Sequence, residues 1–463
     1  MSARSRADGT AMHEYDLVVV GGGSGNSIFG PEFDDLRCAI VEPDRFGGTC
    51  LNRGCVPSKM FVVAADMAET VHHATRLGID LSFNGADWPA IRDRVFARID
   101  PAHDSALAYR RSVGIDVFTD PARFVAPKVL QVGDEQITAT NIVVASGARP
   151  MVPEIPGIDT VAFHTSDTIM RLDALPESMI ILGGGFIAAE MGHVFSGLGT
   201  NVTIVQRGPR LMTAEDEEIS LRFTDAVRHR FHVHTNSTIV GVAPHEDGVA
   251  VTMHTGSRDR RLFADVLLVA TGRVPNSDRV DATAGGLTTD EHGHVVVDDY
   301  YRATADGVWA LGDVTNHFQL KHMANAETRV VRHNLTHPHD LHTLPHPDVV
   351  PHAVFTDPQI AAVGLTEAQA RAADADVMVA VRPYSGTAYG WALEDTTSFA
   401  KVIADRETRL ILGAHIMGPY ASLLIQPLVQ AMTFGQTVDQ IGREVIYTHP
   451  ALTEVIEQVL LEF

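Results

Sequence analysis

Two of the chain's three cysteines, Cys50 and Cys55, lie in the stretch Gly47-Gly48-Thr49-Cys50-Leu51-Asn52-Arg53-Gly54-Cys55-Val56-Pro57-Ser58-Lys59. Thiols this close can exchange electrons as a dithiol–disulfide couple or bind a metal. A closed zinc site wants four ligands, and no histidine stands at ligand spacing from this pair, so the redox reading is taken and no metal site is assigned. In a regular helix, residues five apart have Cα atoms roughly 8 to 9 Å from one another. A disulfide requires less than about 7 Å. The segment must therefore bend, and Gly54 and Pro57 suit a loop that enters a helix. Cys55 then falls near the helix start, where the dipole favours a thiolate. Lys59 follows four residues later on the same face, so that face pairs a thiolate with an ammonium. Cys38, in an apolar strand, reads as a buried thiol.

Something must position these groups and deliver electrons to them. Two stretches repeat one pattern of apolar strand, glycine-rich turn, helix and second strand. The first runs through Gly21-Gly22-Gly23-Ser24-Gly25-Asn26 to a strand at residues 38–42; the second runs through Gly183-Gly184-Gly185-Phe186-Ile187-Ala188 to a strand at residues 202–206. Each reads as a Rossmann unit. The first glycine lets the chain reverse tightly, the second admits a pyrophosphate, and the helix N-terminus supplies partial positive charge. Glu42 ends the second strand of the first unit, and a carboxylate there suits a ribose diol such as that of FAD. The equivalent place in the second unit is Gln206, followed by Arg207 and Arg210. A missing acid and nearby guanidinium groups suit a 2′-phosphate, so the second site is expected to take NADPH.

Composition agrees. At 463 residues, 45% apolar and 20% charged, the chain is expected to form roughly three globular domains. A formal net charge of −22 argues against a nucleic-acid partner. No apolar run approaches the roughly 20 residues that cross a bilayer. Residues 1–12 contain Arg4 and Arg6 but no apolar segment, which reads as a frayed tail and not a secretory signal; a cytoplasmic location is expected. Residues 333–352, rich in His and Pro, read as a solvated linker. Beyond it lies a mixed α+β region, closed by a helix over residues 450–461 with Pro450 in its first turn.

With these pieces in order, and with Gly312-Asp313 and a terminal His449-Pro450-Ala451-Leu452-Thr453-Glu454, the chain resembles the FAD-dependent pyridine nucleotide–disulfide oxidoreductases along nearly its whole length. The resemblance implies an α/β fold: two Rossmann-like dinucleotide-binding domains plus an α+β dimerisation domain. The FAD domain would take residues 13–151 and 274–345, the NAD(P)H domain 152–273, and the interface domain 346–463. FAD would be held by Gly21, Gly23, Gly25, Glu42, Gly48, Thr49, Gly147 and Asp313. NADPH would be held by Gly183, Gly185, Phe186, Ala188, Arg207, Arg210 and Gly272, with Phe186 as an aromatic gate over the nicotinamide pocket. Cys50 would attack a low-molecular-weight disulfide and Cys55 would contact the flavin. Lys59, paired with Glu190, would lie near the flavin N5. His449, oriented by Glu454, would protonate the departing thiol, and would do so in the other subunit of a homodimer.

Four segments narrow the resemblance to one branch of the family: residues 23–27, 164–168, 388–392 and 425–428. Departures point the same way. Asn26 replaces the third glycine, Pro31 interrupts the following helix early, and that helix lacks the basic residue of glutathione-reducing members. Arg53 either tunes the thiolate or reaches solvent. Tyr109 falls near the family's substrate-cleft tyrosine, with a structural role equally open; Tyr389 and Trp391 are weaker candidates. Three alternatives stand beside this reading. A member serving an acyl-transfer complex would carry an acid in place of Gln206 and use NAD. A mercury-reducing member usually adds a C-terminal cysteine pair, absent from the ending Leu460-Leu461-Glu462-Phe463. A non-catalytic redox sensor would have no need of His449 with Glu454.

Overall fold

The computed structural model describes residues 12–373 and 376–463, so the expected tail at residues 1–11 lies outside the described residues. The chain divides into two compact units. One takes the chain through Pro57 together with Asp93–Met151 and Arg273–Pro345; the other takes Ser58–Arg92, Val152–Gly272 and His346–Phe463.

The first unit is built on a seven-stranded sheet. Met12–Val20 lies at its centre, paired in parallel with Cys38–Val41 on one side and Glu135–Val144 on the other. Asp116–Phe118 extends the parallel edge, and Val308–Ala310 pairs with Glu135–Val144. Parallel strands are covered on both faces, which is why Leu17–Val20 and Cys38–Val41 are unbroken apolar runs. Cys38 is buried in this sheet. The expected helix after the first fingerprint does not form. Two short 3₁₀ turns, Ser24–Ser27 and Pro31–Phe33, take its place, separated by extended Gly30. Pro31 has no amide to continue an earlier helix, and glycine before it gains little from helical geometry.

In the second unit, Ser178–Leu182 pairs in parallel with Asn201–Val205 and with Val266–Val269. Here a full helix, Phe186–Gly197, does follow the glycines, and it is apolar on nearly every face because it is buried from Ala188 to Phe195. An antiparallel meander covers Ser237–His245, Gly248–Thr255 and Arg258–Ala264. The C-terminal region folds as a five-stranded antiparallel sheet, from His352–Val354 to Ile411–Met417, with Tyr384 and Phe399 fully buried.

Two expected elements are corrected. The last helix is Glu454–Leu460 and leaves Pro450 outside. Residues 449–453 wrap instead around the Glu454 carboxylate, which accepts from the Ala451 amide at 3.1 Å. The His-rich stretch is only partly a linker, because the helix Lys321–Thr336 runs through His333 and the strand His352–Val354 begins at its far end.

Candidate active site

Cys50 sits in the short helix Gly48–Asn52, and Cys55 opens the long helix Cys55–Ala74. Gly47 and Gly48 enter this bend at φ +97° and +60°, the left-handed region that favours glycine. A Cβ on Gly48 would lie 2.8 Å from the Cα of Gly23, so the cysteine loop rests directly on the first fingerprint. Buried Asn52 fixes the loop by donating to the carbonyls of Phe46 and Gly48 at 3.0 and 2.9 Å. Arg53 pairs with Asp44 beside the loop. Both cysteines are thiols. The Cys50 thiol is hydrogen-bonded to Cys55, and that bond, then burial, raises its pKa, while the Lys321 ammonium acts in the opposite direction.

The same unit offers a cradle that fits FAD. Gly21 turns at φ +115°, with no room for a Cβ against the Ala145 carbonyl. The Gly22 amide donates to Glu42 Oε2 at 2.6 Å, and Oε1 accepts from the Asp44 amide at 2.9 Å. Burial raises the Glu42 carboxyl pKa, so a ribose hydroxyl would meet a desolvated acceptor. A Cβ on Gly25 would come within 2.7 Å of the Ala145 Cβ. The next residue, Ser146, has a buried hydroxyl with no protein partner, and Gly147 turns at φ +67°. Asp313, in the turn Gly312–Val314, is likewise pushed up by burial.

Three residues of this unit had no sequence motif to announce them. Arg110, on helix Pro101–Ser112, donates to Asn26 Oδ1 at 2.7 Å and to its carbonyl at 2.5 Å, bracing the 3₁₀ turn that stands where a helix was expected. Lys321 donates to Ser24 Oγ at 2.8 Å. Glu327 accepts from the Gly312 amide at 2.6 Å and from Asn316 at 2.7 Å. Only their positions on helices were legible; their targets lie 84, 297 and 15 residues away for Arg110, Lys321 and the Gly312 partner of Glu327. A cavity of about 310 Å³ is lined by Ser27, Asn325, Thr328, Arg329 and Arg332. Basic groups thus reach this region from helices other than the missing one. Tyr109 is exposed on its helix.

In the second unit, Gly183 turns at φ +109° against the Ala270 carbonyl, and Gly272 at φ +129°. A Cβ on Gly184 would meet Gln206 at 2.9 Å, so the fingerprint touches the residue expected to read the ribose. Gly185 caps the helix, Ala188 is buried, and Phe186 is 46% exposed at its start. Arg207 is exposed; Arg210 pairs with Glu217 at 2.9 Å and keeps a buried Nε without a protein partner. Lys59 Nζ lies 2.6 and 2.7 Å from the two Glu190 oxygens, and Glu190 also accepts from the Phe355 amide at 3.1 Å. The same two helices meet again where Asp66 and His193 approach to 2.8 Å. Arg230 pairs with Glu69 at 2.6 Å and reaches His193 at 3.0 Å. Tyr389 and Trp391 are exposed on helix Ala388–Ala392.

His449 Nδ1 and Glu454 Oε1 are 2.8 Å apart, and the imidazole holds the Glu454 carboxyl below the usual glutamate range. The His449 side chain is nevertheless 70% exposed.

Residues 15–328 match the model of the pyridine nucleotide-disulphide oxidoreductases, and residues 350–460 match that of the same family's dimerisation domain. A mycothione reductase of Mycobacterium tuberculosis is 47% identical over 460 residues, covering 97% of this chain and 99% of its own. A mercuric reductase of Staphylococcus aureus is 30% identical, covering 92% of this chain and 79% of its own. The solved structure of the HOCl-induced flavoprotein disulfide reductase of Escherichia coli has a TM-score of 0.84 at 28% identity, covering 96% of this chain and 99% of its own.

Proposed function

The chain belongs to the pyridine nucleotide-disulphide oxidoreductases, and from that premise we propose that it reduces mycothione to mycothiol with electrons from NADPH. It is an enzyme, a flavoprotein disulfide oxidoreductase whose cofactors are FAD and NADPH. The observation that carries the substrate is the 47% identity to a mycothione reductase over nearly the full length of both chains.

Residues 13–151 and 274–345 are read as the FAD domain, 152–273 as the NADPH domain and 346–463 as the interface domain. The fingerprint glycines Gly21, Gly23 and Gly25, with Glu42, Gly48, Thr49, Gly147 and Asp313, would hold FAD. Gly183, Gly185, Phe186, Ala188, Arg207, Arg210 and Gly272 would hold NADPH. FAD, when bound, supplies the two-electron relay from the nicotinamide to the Cys50–Cys55 disulfide. Lys59, anchored by Glu190, keeps a fixed positive charge one turn beyond Cys55. Cys50 attacks one sulfur of the bound disulfide, forming a mixed disulfide and expelling one thiolate. His449, held by Glu454, gives that thiolate a proton. Cys55 then attacks Cys50, closing the Cys50–Cys55 disulfide and releasing the second thiol.

The matched dimerisation domain supports a homodimer. The exposure of His449 supports its acting in the partner subunit's site, since a proton donor of this kind works where water is excluded. Among the described residues no helix is long and apolar enough to cross a membrane; dithiol chemistry of this type suits a reducing cytoplasm.

The test is NADPH consumption by the purified holoenzyme with mycothione, glutathione disulfide and lipoamide measured side by side. Turnover of mycothione far above the others is expected. Preferred turnover of lipoamide with NADH would overturn the substrate and the reading of Gln206 and Arg207, while leaving the cysteine chemistry in place.

A further inference from the structure

The His-rich stretch after helix Lys321–Thr336 has no part in the chemistry above, yet it folds back on that helix in a defined way. Asn334, almost fully buried, accepts from the His342 amide at 2.7 Å and donates to the His342 carbonyl at 2.8 Å. Its side chain also donates to the Tyr300 carbonyl at 3.2 Å, so the clamp is tied to the body of the first unit. The result sets His342 against His333, with ring centroids 3.6 Å apart and an interplanar angle of 11°. His337 also stacks on His333, with ring centroids 4.4 Å apart. The turn between them is closed by the Asp340 amide donating to the His337 carbonyl at 2.9 Å, and Asp340 is thereby brought beside His333. One ligand atom from each of His333, Asp340 and His342 lies within 4.8 Å of the other two.

From this juxtaposition we infer that His333, Asp340 and His342 form a surface site for one divalent transition cation of the class that prefers imidazole, with zinc as the reference ion. Metal–nitrogen bonds of about 2.0–2.1 Å place tetrahedral ligand atoms roughly 3.3 Å apart. The three groups must therefore draw in by up to about 1.5 Å, and the His342 ring must turn out of its stack on His333, because the lone pairs of parallel rings do not converge on one ion. His342 and Asp340 are exposed and can move, while His333 is fixed on the helix end. Two imidazoles and one carboxylate leave a fourth position for water, and this donor set suits zinc or copper over magnesium or calcium. The ion would displace the His333 Nε2 contact with the Asp340 carbonyl, now 2.8 Å, and tie the loop to the helix by coordination instead. In a second trio of potential ligands, Glu69, His73 and Asp357, Arg230 already supplies a cation at 2.6 Å from Glu69, and His73 pairs with Asp357.

The experiment is isothermal titration of Zn²⁺ into the oxidised holoenzyme, in which the Cys50–Cys55 disulfide removes the competing thiols. One ion per chain is expected in the wild type. His342→Ala and His333→Ala should each weaken binding at least 10-fold, and Asp340→Asn several-fold. His292→Ala, at an exposed histidine elsewhere on this unit, should change nothing. Flavin absorbance and circular dichroism report whether each variant is folded. Absence of binding by the wild type up to millimolar Zn²⁺, or unchanged affinity in either His333→Ala or His342→Ala, would overturn the assignment.

Discussion

The hydrogen bond to Cys55, and then burial, make the Cys50 thiol harder to ionise. Its conversion to the attacking thiolate therefore needs a base, and His449, read above as the proton donor to the departing thiolate, would take that proton first. Cys50→Ser should abolish disulfide turnover while reduction of the flavin by NADPH, followed by its absorbance, survives. Persistent turnover would remove Cys50 from the role of nucleophile. Glu327 shows the same burial effect with a stability consequence. Desolvation beneath Gly312 raises its pKa from 4.5 to about 7. A raised carboxyl binds its proton more tightly folded than unfolded. Its contribution is therefore present below pH 4.5 and lost as pH rises through 7, by an upper limit of about 3 kcal/mol. Glu327→Gln should flatten this part of the pH–stability curve in urea denaturation. An unchanged slope would show that Glu327 does not titrate there.

At the scale of elements, the helix Cys55–Ala74 owes its seat to charge as much as to apolar packing. Lys59, Asp66, Glu69 and His73 share one face, and each meets a partner: Glu190, His193, Arg230 and Asp357. Gly197 lets helix Phe186–Gly197 approach, since a Cβ there would come within 3.1 Å of Ala65. Arg230 and Glu69 are both nearly inaccessible, so removing one strands the other. Arg230→Ala should cost about 3–5 kcal/mol in denaturant unfolding. Arg406→Ala, at the exposed pair with Asp376, should cost less than about 1 kcal/mol. Equal effects would mean that the network is not what seats the helix. The first fingerprint makes a related point. Where the second unit uses a full helix, the first uses a 3₁₀ turn braced by Arg110, so the guanidinium does locally what continued helix hydrogen bonding does elsewhere.

For the whole molecule, the proposed reaction requires two copies. His449 is largely exposed on its own chain, and the apolar residues Ile446, 98% exposed, and Phe434, 74% exposed, lie in the same matched dimerisation domain. With the dimerisation domain matched, these exposed apolar side chains are expected to lie against the second copy. Ile446→Glu should shift the holoenzyme toward monomer in sedimentation velocity and lower disulfide turnover at least 100-fold, with flavin reduction by NADPH retained. A monomer with full turnover would place the proton donor within one chain.

The amino-acid sequence by itself determined the parallel strands, because burial on both faces demands unbroken apolar runs. It also determined the glycine turns and the bent Cys50–Cys55 segment, because these depend on backbone sterics and short spacing. The pairing of His449 with Glu454 was legible only through the family resemblance that implied it, and the two side chains do meet at 2.8 Å. Tertiary structure alone decided the rest. Pro31 and Pro450 were legible as proline, but whether each opened, broke or preceded a helix depended on what their neighbours could bond. Arg110, Lys321 and Arg230 are ordinary basic residues in sequence; they gain a role when distant backbone brings Asn26, Ser24 and Glu69 within hydrogen-bond reach. His333 and His342 read as linker for the same reason, since their stacking is set by Asn334, a buried amide whose partners no local pattern announces.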